Sequence, residues 1–157
     1  AGYLTAETND LTAAVTWDDV PDANITESSV TQHIAAIKPT ECLIISLGDE
    51  TTDIETGTAE VTFRMPYAMT LSEVRASVTT APTGSTVILD INESGTSILS
   101  TKLSIDASEK TSETAASSAV ISDSSLADDA EITIDIDQVG STVAGAGAKI
   151  YLIGTRT

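Results

Sequence analysis

The chain has 157 residues, 41% hydrophobic but only 3% aromatic, with 24 acidic against 7 basic residues and a formal net charge of −17. That length accommodates one domain plus an arm and buries a real core. The charge argues against nucleic acid as a partner, because nothing here neutralises a run of phosphates, and against an anionic membrane surface.

Residues 1–25 carry turn formers and acids, and Pro21 prevents a continuous helix. Tyr3, Leu4, Leu11, Val15, Trp17 and Val20, with Ile25 just beyond, are too many apolar side chains for a free linker and too scattered for an independent core. They read as an extended N-terminal arm that docks on another surface, most economically a neighbouring subunit. Residues 26–38 then read as one short helix, capped by Ser28 or Ser29 and stopped by Pro39. Val30, Ile34 and Ile37 fall on one face at i, i+4 and i+7. Such a short helix is not stable alone in water, so its stripe is expected to pack on the body or on copies of itself. His33, the only histidine, sits beside that stripe and reads as an interface hydrogen-bonder.

From Glu41 the pattern changes to strands. Cys42–Leu47 is a continuous apolar run, fit for a buried strand, which would make Cys42 a buried structural thiol. With a single cysteine, no intrachain disulfide forms. Residues 60–80 are the expected organising stretch, two strands joined by a kink at Pro66, holding the only Phe and both Met residues. Val61, Phe63 and Met65 alternate with polar residues before the kink; Val74, Ala76 and Val78 do so after it. Val87, Leu89 and Ile91 point one way in the next strand, and Glu93–Thr96 is a tight turn into Ser97–Ser100. Leu103 and Ile105 mark a short strand, residues 106–118 a long polar loop, Val120 and Ile121 a brief strand, and SSLADDA a turn. Ile132, Ile134 and Ile136 alternate with acids and Thr133 in the clearest strand signal of the chain. A glycine-rich loop, GSTVAGAG, precedes a last strand over 149–153. About eight short strands separated by turns predict a mainly β protein, an antiparallel β-sandwich of jelly-roll type over residues 41–157, with residues 1–40 as the anchoring and oligomerising arm.

Chemistry is sparse in these residues. No G-x-S-x-G elbow occurs, and His33 lies outside the strand-rich body, so no catalytic triad is indicated and the chain reads as a non-enzyme. Carboxylates are plentiful, but no aromatic cleft accompanies them. Asp135 with Asp137, Asp128 with Asp129 and Asp49 with Glu50 could offer oxygen ligands to calcium; an exposed acidic strand face is the preferred reading, with no metal and no cofactor. No run approaches the roughly 18 apolar residues of a membrane-spanning helix.

DDVPDANITESSVTQHIAAI (residues 18–37) resembles a linker of tailed-bacteriophage structural proteins, found in front of fibre-like or surface modules. FRMPYAMTLSEVRASVTTAPTGSTVILDINESGTSILSTKLSID (63–106) resembles a β-rich module recurrent in phage virion proteins, and ADDAEITIDIDQVGSTVAGAGAKIYLIGT (127–155) looks like its continuation. The resemblance implies a virion surface component assembled in the host cytoplasm: a capsid decoration or head-fibre protein, or a tail-fibre tip. It also implies a homo-oligomer, with a trimer expected, and the major capsid protein or another virion protein as partner. Three roles are carried forward. The first is a decoration or head-fibre protein anchored by residues 1–40. The second is a receptor-binding tail tip reading host glycan with loops 106–118 and 140–147, and the third a calcium-dependent adhesion domain.

Overall fold

The structure, a computed structural model, describes residues 39–157. Eleven strands run β1 (Thr40–Ser46), β2 (Gly57–Arg64), β3 (Met69–Ser77), β4 (Val87–Glu93), β5 (Thr96–Ser97), β6 (Leu99–Thr101), β7 (Leu103–Ile105), β8 (Val120–Ile121), β9 (Ser125–Leu126), β10 (Glu131–Gln138) and β11 (Lys149–Arg156). A single 3-10 turn, Ser112–Thr114, interrupts the loop before β8. The region is mainly β, and every pairing between the strands is antiparallel. One sheet has four strands in the order β1-β11-β3-β9. The other has the order β2-β10-β4-β5, with β7 also on β4, and a small β6-β8 ribbon lies apart.

The alternation seen in the sequence explains how these layers meet. Ile132, Ile134 and Ile136 of β10, and Val87, Leu89 and Ile91 of β4, are buried on one side. Leu71, Val74 and Ala76 of β3, with Ile150 and Leu152 of β11, are buried on the other, and all belong to one core. Removing each such Val, Leu or Ile side chain from water contributes roughly 1.5–3 kcal/mol. Met65 and Met69 are fully buried on either side of the exposed Pro66, at the point where the chain leaves one sheet for the other. The turn after β4 places Ser94 (φ 50) and Gly95 (φ 82) both in the left-handed region, the backbone that a two-residue hairpin joining right-twisted strands requires. Gly154 sits at a register shift between β11 and β3, where a Cβ would lie 2.2 Å from the Thr70 carbonyl oxygen; only glycine lets the two backbones approach that closely.

Three expectations change. Cys42–Leu47 is not a buried strand: β1 is the outer strand of its sheet, Cys42 is exposed, and Ile44 is 62% exposed. A continuous apolar run does not say how many neighbours the strand has, and among the described residues β1 has one. The two strands around Pro66 both form, but they are not neighbours. β2 joins the five-stranded sheet and β3 the four-stranded one, and Phe63 is only half-buried while both methionines are core. SSLADDA is not wholly a turn, since Ser125–Leu126 pairs with Met69–Thr70 and buries Leu126. The arm residues Tyr3, Leu4, Leu11, Val15, Trp17, Val20 and Ile25, and the helix residues Val30, His33, Ile34 and Ile37, lie outside the described residues.

Burial sets a first prediction. Ile134→Ala, at a position with no exposure, is expected to cost about 2–4 kcal/mol in urea unfolding. Ile44→Ala should stay within about 0.5 kcal/mol of the parent, as exposed sites do.

Candidate interaction surface

The outward faces of the two sheets differ in charge. The strands of the four-stranded sheet carry Arg75, Lys149 and Arg156 against Glu41 and Glu73. The strands of the five-stranded sheet carry Arg64 against Glu60, Asp90, Glu93, Glu131, Asp135 and Asp137. The strands of the five-stranded sheet are thus strongly acidic and those of the four-stranded sheet nearly balanced, while most of the remaining described carboxylates lie in the loops.

On the neutral face the strand register builds rows of outward side chains. Ile44 stands opposite Tyr151, which stands opposite Arg75; Cys42 stands opposite Ile153, which stands opposite Glu73. Both β1 and β11 are therefore apolar on both faces over part of their length, with Leu43, Ile45, Ile150 and Leu152 turned inward and Ile44, Tyr151 and Ile153 outward. The polar atoms among them are held in place. The Tyr151 hydroxyl lies 3.0 Å from Ser77 Oγ. Arg75 binds Glu73 in a two-point fork at 2.6 and 3.0 Å and reaches Glu113 at 3.3 Å. Hydrogen bonding from Arg75 holds the Glu73 carboxyl below the ordinary glutamate range. At the far end Arg156 lies over the Tyr67 ring, 4.5 Å from its centroid, and hydrogen bonding with Glu41 raises the Tyr67 hydroxyl above its usual value. Lys149 pairs with Glu50, which also accepts from Thr79.

The acidic face is internally matched. Asp90 is buried and accepts from Ser97 Oγ at 2.6 Å and the Ile91 amide at 2.9 Å, with Lys102 Nζ at 3.0 Å. Lys102 also reaches Asp137 at 2.6 Å. Asp135 accepts from the Ala59 amide at 2.7 Å and Asn92 Nδ2 at 3.0 Å, which fixes Ala59 in its left-handed backbone (φ 54). So Asp135 and Asp137, the strand pair with calcium-ligand spacing, are engaged by separate protein donors. Asp49 likewise caps its own loop, accepting from the Thr51 and Thr52 amides at 2.7 and 2.6 Å, and these bonds hold its carboxyl well below the usual range. Among the described residues no group of three or more His, Cys, Asp or Glu is arranged to hold a metal.

Loop 140–147 is knitted to the chain rather than free. Thr79 and Thr80 donate to the Ala146 carbonyl, Thr83 donates to Val143, and Thr142 donates back to Thr83. A shallow cleft of about 350 Å³ lies between β3 and residues 118–121; its only titratable lining residue is Glu73, already held by Arg75.

Comparison with protein-family models, with curated proteins and with solved structures gives no match. The surface is therefore interpreted from its own chemistry. The sequence pattern assigns contact to residues 1–40, leaves the body facing solvent or stapling neighbouring capsomers, and does not single out these rows. The available signal was the out-of-phase apolar pair Tyr151 and Ile153 within K-I-Y-L-I, a strand greasy on both sides.

Two predictions follow from the charge pattern. Lys102→Met should cost about 1–2 kcal/mol, below the roughly 3–5 of a fully buried pair, because water still reaches the half-exposed ammonium site beside Asp90. The carboxyls of Glu73, Glu50 and Asp49 are depressed on folding, so their contribution is present above about pH 4 and is lost as pH falls through their folded values. Lys102 is raised, chiefly by hydrogen bonding to Asp137, so its contribution is present below about pH 10 and is lost as pH rises through its folded value. A plot of melting temperature against pH is expected to be flat between these limits and to fall on both sides.

Proposed function

We propose that this chain is a non-enzymatic structural protein of a tailed-bacteriophage virion, decorating or cementing the capsid or forming a head fibre. The observation that supports this most is the order of the strands. Each successive long strand crosses to the other sheet, β1 to β2 to β3 to β4 and again β9 to β10 to β11. The orders β1-β11-β3-β9 and β2-β10-β4-β5 support reading the sandwich as a jelly roll, an architecture found in viral capsid proteins and also in lectin domains. The resemblance of residues 18–37, 63–106 and 127–155 to virion modules points the same way.

In this reading residues 1–40 are the attachment and oligomerisation segment. Tyr3, Leu4, Leu11, Val15, Trp17, Val20, Ile25, Val30, Ile34 and Ile37 bury themselves on the major capsid protein or another virion protein and between subunits of a trimer. About 800 Å² buried per subunit makes such a contact specific. Repetition over a shell then adds avidity without stronger individual contacts. The strongly acidic layer keeps the displayed body soluble and off nucleic acid.

A receptor-binding tail tip is the competing role. It finds little support in the described surface, where Tyr67 is covered by Arg156 and Tyr151 is tied to Ser77, so neither ring is a free platform for sugar.

Deletion of residues 1–25 is expected to abolish binding to particles while leaving the thermal unfolding of the body unchanged. Truncated protein that still decorates particles would remove the anchoring role. A specific glycan-array hit with the full chain would transfer the assignment to the tail tip.

A further inference from the structure

Of the sheet edges in the described region, three are blunted and one is open. The β3 side of the four-stranded sheet ends in a two-residue strand, β9. Beyond it the edge is capped by the loop, with Leu71, Ala76 and Val78 donating their amides to Ser124, Ser112 and Lys110. In the five-stranded sheet, β5 and β7 are two and three residues long. The β2 edge carries Glu60 and Arg64 and is broken by a register shift beside the left-handed Ala59. Short strands, charges and bulges are the devices that stop sheets from pairing edge to edge.

β1 has none of them. Its seven residues pair with β11 in unbroken register, without proline, bulge or lysine, and with Glu41 as its one charge. Its free side is a row of backbone donors and acceptors set in an apolar strip, with Ile44 62% exposed. It also belongs to the sheet whose strands carry three basic against two acidic residues, with Glu113 and Glu50 each paired to one of those cations, so two copies meet less repulsion there than across the acidic strands.

We infer that β1 pairs antiparallel with β1 of a second copy across a twofold axis, joining two four-stranded sheets into one of eight. One register pairs all seven residues: Thr40 opposite Ser46, Glu41 opposite Ile45, Cys42 opposite Ile44, and Leu43 on the axis. In it no carboxylate meets its own copy, and the outward face becomes a continuous apolar row running from Ile153 through Cys42 to the second copy's Ile44 and Tyr151. Main-chain hydrogen bonds supply the affinity, as in strand addition generally. The contact is independent of the attachment assigned to residues 1–40, and holds whether or not the chain belongs to a virion.

Cys42 provides the test, because it is the only cysteine and is exposed. In the stated register the two Cys42 positions are diagonal neighbours, about 7–8 Å apart. A short bis-maleimide added to the full chain is expected to give covalent dimer as the main product. Ile44→Lys, at an exposed site, should reduce that yield at least tenfold with the circular dichroism spectrum unchanged, and should remove any dependence of the melting temperature on protein concentration. Ile44→Val should retain it. Absence of covalent dimer from the parent, or an undiminished yield with Ile44→Lys, would overturn the proposal; the latter would mean that another contact brings the thiols together.

Discussion

The packing of two antiparallel sheets through alternate aliphatic side chains is the constraint on which the rest of the described region depends. With Phe63 only half-buried, the core is filled by Ile, Leu, Val and Met rather than aromatic rings. Branched aliphatic residues fit a pleated surface and fill the space between two sheets evenly. Once Ile132, Ile134 and Ile136 turn inward, the period of two forces Glu131, Thr133, Asp135 and Asp137 outward. The acidic face and the core are two consequences of one alternation.

That acidic face carries many like charges on adjacent strands, and its stability comes from local pairing. Asp90 is the demanding member, being buried, and it is matched by a hydroxyl, an amide and the Lys102 ammonium together. A buried carboxylate without such partners is strongly unfavourable. The same lysine also offsets Asp137, so one cation serves two strands and ties the segment before β7 to β10. The opposite face is matched in the same way, with Arg75 on Glu73 and Glu113 and Lys149 on Glu50, but there the cations are at least as numerous as the strand carboxylates.

Function in this reading comes from the asymmetry between the layers. A strongly acidic layer disfavours contact with other copies, whereas a near-neutral layer with Ile44, Tyr151 and Ile153 outward permits it. The open edge lies on the permissive layer.

The mainly β character and the inward residues of β4, β10 and the second half of β3 were legible in the chain, because a period of two needs no knowledge of neighbours. The tight turn at Glu93–Thr96 was legible too, since Ser-Gly between two strands is a local preference. The position of a strand within its sheet was not. Cys42–Leu47 reads the same whether it has one neighbour or two, so its exposure, and with it the open edge, follows only from β11 closing the sheet beside it. Likewise β2 and β3 are adjacent in sequence around Pro66 yet lie in different sheets, because their inward faces must meet across the core rather than side by side. The alternation by itself determined which residues of each strand are hidden; the pairing of distant strands decided which edges and faces are left for another molecule.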